Sequence, residues 1–392
     1  MKKFLYLCTL VFISWNIWAQ IDLTDRNWEK VFYDDFSIGG RSWDYYWISS
    51  PDKKWRSYIG YNSITHGSFE YQVYQDANCR FNSQDGTMEL VSEFDWTNSI
   101  PNHNYALPPS MGNNYPTGSN LFFFSGYLEA KKDSIYENDM KFSFGYFEIR
   151  CKLPTHNGAF PAFWLFGNGT NTYEEIDIFE HSNYGSGGDL LRGFSLGLWH
   201  NPNGTNYHPN NNNDGAHKYH KEEHLHIPLN MPDLNHYHIF ACEWMPDYVR
   251  WYCDGELISE YNDIEHISKY KKTMIINYAL DSYSYDTTLN VLNGWSGTDT
   301  MTIDYVKVYQ FRFDCETDEY ITSGTQFANF DHKMKNSITI GSSNNAVIVP
   351  SNTNVSMHAD EFIVIDGEFE LPAGSQMTMQ THRCMECLTN NN

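Results

Sequence analysis

The sequence predicts an all-β protein: one large β-sandwich followed by a small C-terminal β module. Three observations carry this reading. From Trp28 to about Phe313, short runs rich in Tyr, Phe, Ile, Val and Trp alternate apolar with polar residues at period two. Turn residues separate the runs. No long stretch with a 3.6-residue apolar period interrupts them. Many antiparallel strands over ~290 residues fit one large sandwich.

Composition narrows the function classes. The 392 residues carry 49 Asp+Glu against 26 Lys+Arg, a net charge of −23. Such an acidic chain has no broad basic footprint for phosphate backbones, which argues against nucleic-acid binding and against docking on anionic membranes. With 12 Trp, 28 Tyr and 25 Phe, the chain is too aromatic to be disordered.

Taken in order, residues 1–19 read as a secretory signal: Lys2 and Lys3, an apolar stretch Phe4–Ile13, then cleavage after Ala19. The stretch falls short of the ~20 apolar residues of a membrane span, and no later segment reaches that length. The chain is therefore expected to be exported, without an integral span. Residues 20–312 form the predicted sandwich. Gly145-Tyr-Phe-Glu-Ile-Arg-Cys-Lys152, His238-Ile-Phe-Ala-Cys-Glu-Trp244 and Thr300–Tyr309 are representative strands. Met245-Pro246-Asp247 is predicted to turn a hairpin into Val249-Arg-Trp-Tyr-Cys253. His200 through Asp214 reads as a polar surface loop, followed by His217, His220, His224 and His226. Their spacing matches no defined zinc pattern, so a solvated loop is the expectation and no metal site is assigned.

Residues 313–392 form the predicted C-terminal module. Ile338-Thr-Ile340, Ala346–Val349, Val355–Met357, Phe362–Ile365 and Met377–Met379 recur at short intervals, the pattern of a small stack of strands. Seven cysteines remain in the mature chain. A structural bridge from Cys315 to Cys384 or Cys387 is expected, rather than zinc or redox chemistry at the lone Cys384-Met-Glu-Cys387.

The most informative run is Tyr173-Glu-Glu175-Ile-Asp177-Ile-Phe-Glu180-His181. On a regular strand Glu175 and Asp177 share one face while Ile176 and Ile178 face the core. Glu180 has the wrong parity. One β-bulge near Ile178-Phe179 restores it to the face of Glu175. The outer Cα atoms then lie roughly 13 Å apart, and flexible Glu side chains can bring their carboxyls to the ~5–5.5 Å of a retaining glycosidase. An ordinary acidic strand is the bland alternative. It is disfavoured because three like charges on one face repel.

Glu175-Ile-Asp-Ile-Phe-Glu180 resembles the signature of glycoside hydrolase family 16 in its bulged form. Phe144–Pro154, Gly158-Ala-Phe-Pro-Ala-Phe-Trp-Leu165, His236–Asp247, Trp251-Tyr-Cys-Asp-Gly255 and Ile303–Gln310 resemble other family segments, in family order. The resemblance implies a jelly-roll β-sandwich with a concave substrate cleft. It makes Glu175 the nucleophile, Glu180 the general acid/base and Asp177 the residue that orients Glu175. Trp164 and Trp199 become candidate sugar-stacking residues and His200 a candidate hydrogen-bond donor. Glu148 matches a family position with a structural role as the alternative. Asp304 aligns with a carboxylate that binds structural calcium in some relatives, and no other cofactor is implied. The expected partner is a polysaccharide: β-1,3 or mixed β-1,3/1,4-glucan first, with a galactan of agar, porphyran or carrageenan type as the alternative. Transglycosylation and plain carbohydrate binding remain alternatives on the same scaffold. Met274–Ser282 keeps Asn277 and Ala279 of a laminarinase-like pattern but lacks its glycine pair. The C-terminal segment resembles the three-coathanger stack module of exported Bacteroidetes proteins, through Phe362–Phe369, Pro372-Ala-Gly374 and Cys384.

Overall fold

Strands that are apolar on one side need a second layer to cover that side, and two large sheets provide it. The computed structural model describes residues 25–37, 54–57, 72–94, 123–130, 140–156, 158–169, 172–184, 191–201, 220–226, 236–264, 267–280, 298–343 and 345–384. Among these, a ten-stranded sheet runs in the order Glu256–Tyr261, Val249–Cys253, His238–Trp244, Gly145–Lys152, Thr298–Phe311, Thr87–Phe94, Phe123–Ser125 and Gln72–Tyr74, with Trp28–Asp34 and Cys79–Asn82 paired alongside. An eight-stranded sheet runs His220–His226, Leu191–Asn201, Thr172–Tyr184, Ala159–Gly169, Lys272–Leu280, Tyr127–Ala130 and Trp55–Arg56, with Lys141–Phe142 on Lys272–Leu280. The all-β sandwich predicted from the alternation is the observed architecture.

Alternation sets the core. Phe147, Ile149 and Cys151 from the first sheet meet Phe163, Leu165, Ile176, Met274 and Ile276 from the second, all fully buried. The hairpin at Met245-Pro246-Asp247 forms as expected: the Met245 amide donates to the Tyr248 carbonyl at 2.9 Å, and Trp244 pairs with Val249. The histidine segment differs from its loop expectation. His220–His226 is a strand on the edge of the eight-stranded sheet, its backbone paired with Leu191–Asn201, and His217 lies outside the described residues.

The sandwich's last strand ends at Phe311, and a separate stack follows. Asp318–Ile321, Lys335–Ile340, Asn354–Ile365 and Gln376–Thr381 pair in parallel, and Val347–Ile348 pairs in parallel with Phe369–Glu370. Parallel neighbours need long crossovers, which here are successive turns of the chain around Ile338, Ile340, Val347, Val349, Val355 and Met357. Two glycines permit the stacking: a Cβ on Gly341 would collide with the Asp366 carbonyl, and one on Gly324 with the Ile348 carbonyl. A disulfide between Cys315 and Cys384 ties the start of the stack to its end across 69 positions. Of the two expected partners, Cys384 is therefore the one used.

The stack docks on the ten-stranded sheet. Met334 packs with Met245, Tyr248 and Phe311. Phe311 meets the His358 ring edge-on at 5.0 Å, and His358 stacks on His382 at 5.3 Å. Asp25, just before the first sandwich strand, accepts from Ser356 Oγ at 2.7 Å and meets His358 Nε2 at 2.9 Å. Burial pushes the Asp25 carboxyl up, but hydrogen bonds from His358, the Asn27 amide and Ser356 together hold it below its ordinary value. A carboxyl lowered in the folded state contributes stability that is fully present above its unfolded pKa of 3.8 and is lost as pH falls through its lowered native value. Asp25→Asn should therefore cost about 1–2 kcal/mol in urea unfolding at pH 7. Its deficit relative to wild type should shrink as pH drops below about 3.8. A deficit unchanged at acid pH would contradict this assignment.

Candidate functional site: a bulged strand of carboxylates

The strand Thr172–Tyr184 must send Ile176, Ile178 and Phe179 into the core, although Ile178 and Phe179 are adjacent. It does so by a one-residue bulge. Ala162, Phe163, Trp164, Leu165 and Phe166 of one neighbour face Glu180, Phe179, Asp177, Ile176 and Glu175, so the register skips Ile178. On the other side Ile176 faces Leu198 and Glu180 faces Ser195, again with one residue extra on the carboxylate strand. The bulge sits where the parity of Glu180 predicts it. Directly opposed residues project to the same side of a sheet. Ala162, Trp164 and Phe166 alternate along their strand and share a side. Glu180, Asp177 and Glu175, which oppose them, therefore share that side too. It is the outward face of the sheet, while Ile176, Ile178 and Phe179 are buried in the core. Glu175 and Glu180 are partly exposed, and Asp177 between them is 1% exposed.

The bulge interrupts the ladder next to Asp177. The Trp251 indole, reaching from the opposite sheet, donates to the Asp177 carbonyl at 2.7 Å. Trp251 is itself buried in the core, so this backbone oxygen is satisfied without water.

Aromatic side chains surround the acids on the same face. Trp164 opposes Asp177, is 8% exposed, and donates its Nε1 to Asn277 Oδ1 at 2.7 Å. Asn277 Nδ2 donates to the Tyr74 hydroxyl at 2.9 Å. Tyr74 packs on Tyr127 at 5.3 Å, and the Tyr127 hydroxyl donates to Glu129 at 2.9 Å. Register aligns Asp177, Trp164, Ile275 and Glu129 in one row across four strands, about 14 Å end to end at the usual strand spacing.

The remaining sequence-predicted residues divide. Backbone register sets Trp199 opposite Glu175 and His200 opposite Glu174; their side chains lie outside those described. Glu148 is fully buried in the other sheet, held by the Tyr146 and Tyr305 hydroxyls and by Lys307 Nζ at 2.7 Å, which gives it a structural role. Asp304 forms an ion pair with Arg150, whose guanidinium also lies 4.4 Å from the centre of the Tyr237 ring. A single carboxylate already paired with a guanidinium is not the set of several oxygen donors that Ca²⁺ takes. Sequence reasoning missed Trp251 and the Asn277–Tyr74 link, whose partners lie 74 and 203 residues away in the chain. It also missed Glu174, which faces inward and meets Lys272 Nζ at 3.0 Å.

Fold and site together define a β-sandwich protein with an acidic, aromatic-paved sheet face. Residues 119–307 match the family model described as glycosyl hydrolases family 16, a stretch that holds the carboxylate strand, both of its neighbours and Asn277. The alpha subunit of clotting factor G from Tachypleus tridentatus is 27% identical over 190 residues, which is 44% of this chain and 24% of that protein. A beta-glucanase from Rhodothermus marinus is 25% identical over 246 residues, 60% of this chain and 67% of that protein. The match thus spans about a quarter of the first relative and two thirds of the second. A solved endo-acting O-glycanase of the human gut microbiota superposes with TM-score 0.51 at 19% identity, covering 74% of this chain and 96% of that one. That likeness shows the fold, a jelly-roll β-sandwich.

The Trp251 bond generates a prediction. Trp251→Phe keeps an aromatic ring but removes the indole N–H that the Asp177 carbonyl accepts from and leaves a small cavity, at a cost of about 1–3 kcal/mol in thermal unfolding. If the bulge positions the acids, turnover of a substrate hydrolysed by the wild type should fall about tenfold as well. Stability loss with unchanged turnover would make the contact purely structural.

Proposed function

We propose that this chain is a retaining, endo-acting glycoside hydrolase of β-linked glucan, with β-1,3 or mixed β-1,3/1,4 chains as substrate. The observation that carries the reading is the bulge, which sets Glu175, Asp177 and Glu180 on one outward face. Two glutamates on one face of a strand, with a shielded aspartate between them, supply the pair of carboxyls that double displacement requires. The match to glycosyl hydrolases family 16 and the name of the Rhodothermus marinus relative, a beta-glucanase, support the same class of bond and substrate. Trp164, opposite Asp177 on the outward face, is the flat ring proposed to stack on a sugar, backed by the buried Tyr74 and Tyr127. The chain is further proposed to be exported through residues 1–19, and its C-terminal stack to act outside the chemistry.

In the proposed mechanism the Glu175 carboxylate attacks the anomeric carbon. Glu180, protonated, gives its proton to the departing glycosidic oxygen. A covalent glycosyl ester on Glu175 results, and the downstream sugar leaves. Glu180, now ionised, takes a proton from water as that water attacks the same carbon and frees Glu175. Two inversions give net retention. Asp177, 1% exposed beside Glu175, disfavours a second negative charge nearby and so keeps the last proton on the pair that needs it.

Substrate class is tested by incubating the mature protein with laminarin, lichenan, agarose, porphyran and carrageenan and sizing the products. Oligosaccharides of several lengths from the first two are expected. Products from a galactan alone would replace glucan as the substrate. Roles are tested by substitution. Glu175→Gln should lower turnover by about 10³-fold or more while leaving the fold intact. Glu180→Gln should slow polysaccharide far more than substrates with activated leaving groups, which need no proton, and should remove the basic limb of their kcat/KM profile. Equal losses on both substrate types would remove Glu180 from the acid role.

A further inference from the structure

Two glutamates stand side by side at the start of the carboxylate strand, and they face opposite ways. Glu175 faces outward, opposite Phe166. Glu174 is 1% exposed and points to the inner side, opposite Gly167. Three donors converge on Glu174 Oε2: the Ser268 hydroxyl, the Tyr270 amide at 3.3 Å and Lys272 Nζ at 3.0 Å. Lys272 is fully buried as well. Its ammonium also donates to the Tyr270 carbonyl at 3.4 Å and lies 5.3 Å from the centre of the Trp244 ring. Trp244 in turn donates to the Ser268 carbonyl at 3.0 Å. Lys272 belongs to a strand two places away from Glu174, with Ala159–Gly169 between them. The ion pair crosses that strand at Gly167. A Cβ there would lie 2.9 Å from the Lys271 carbonyl and 3.2 Å from Lys272 Nζ, so the missing side chain is the passage through which the pair forms.

We propose that Glu174 and Lys272 are positioning residues that select which of the two adjacent glutamates is presented outward as the nucleophile; the inference rests on the role proposed for Glu175. A slip of one residue exchanges the two faces of a strand. Ahead of Ile176, the segment Tyr173-Glu-Glu175 holds no aliphatic residue to resist such a slip, and the strand already accommodates one bulge nearby. An irregularity at Glu175 would turn that side chain inward and present Glu174 in its place, one strand step from where the chemistry needs it. A carboxylate accepts burial only where cations and donors receive it. The Lys272 ammonium, Ser268 and Tyr270 form such a receptor at one position, and Glu174 fills it. Buried polar pairs that fix register at some cost in stability are the best-attested use of such pairs.

The test uses the full mature chain, the variant Lys272→Met and the double variant Glu174→Leu with Lys272→Met. A water-soluble carbodiimide with a small amine converts accessible carboxylates to amides, and mass spectrometry locates them. In the wild type Glu175 should be modified and Glu174 protected. In Lys272→Met, modification should move to Glu174 and decline at Glu175. Its kcat on the glucan cleaved by the wild type should fall about 100-fold, with KM held within about threefold, because the cleft still binds. The double variant has no second glutamate to choose, and its leucine suits the inner face. It should regain Glu175 modification and at least about tenfold in kcat over Lys272→Met. A purely structural role would not produce that exchange of labelling or that rescue. Wild-type labelling in Lys272→Met, or a double variant no better than the single one, overturns the proposal. If Lys272→Met fails to fold, the double variant decides alone: folded with Glu175 modified it supports the selection, misfolded it overturns it. A wild type that cleaves no polysaccharide would reject the function proposed for Glu175, while the labelling still decides which glutamate the pair selects.

Discussion

The bulge in the strand Thr172–Tyr184 is the constraint on which the rest of the site depends. A regular strand offers its side chains to two faces in strict alternation. This one must turn Ile176, Ile178 and Phe179 to the core and Glu175, Asp177 and Glu180 to the outer face, which no regular alternation allows. One extra residue reconciles the two patterns. It also interrupts the ladder, and the Asp177 carbonyl accepts from the Trp251 indole of the opposite sheet. The site is thereby tied to the sandwich core as well as to its own sheet, so the packing of the two layers bears directly on where the acids stand.

Electrostatics favours the same arrangement only because the charges are unequal in their surroundings. Three carboxylates on one face repel, and a fourth acid, Glu174, lies one residue from Glu175. Lys272 keeps that fourth charge paired on the inner side. Asp177 is enclosed by its neighbours, while Glu175 and Glu180 retain access to the outside. The acids thus differ in solvation along a strand of nearly uniform chemistry, and difference in environment is what separates the protonation of neighbouring carboxyls.

How much of this was legible in the sequence follows from the range of each interaction. The sandwich could be read from period-two alternation, and the bulge from the parity of Glu180 relative to Glu175, because both are local. The turn at Met245-Pro246-Asp247 was local too. The inward role of Glu174 was not: alternation places it toward the core, where an acid is disfavoured, and its receptor lies 94 to 98 residues further on. Trp251 read as one more alternating aromatic, and only the fold brings it to Asp177. The ion pair of Asp304 with Arg150 was not legible either, because the two lie 154 residues apart in the chain. His220–His226 looked like loop because its residues are polar. Edge strands are polar for a physical reason, since one side of their backbone has no partner strand to pack beside.

The C-terminal stack meets the sandwich at the hairpin that also serves the bulge. Met245 and Tyr248, at the turn, pack with Phe311 and Met334, and Asp247 lies 3.4 Å from His382 of the stack. Three residues after Tyr248, the same hairpin presents Trp251 to the Asp177 carbonyl. The Tyr248 and Tyr252 hydroxyls both donate to Glu243, whose carboxyl burial pushes up despite these bonds, so the hairpin is cross-linked internally between the two contacts. A hairpin held at its turn by the stack and at its middle by the bulge connects the module to the carboxylate strand, and none of these module contacts involves Glu175, Asp177 or Glu180.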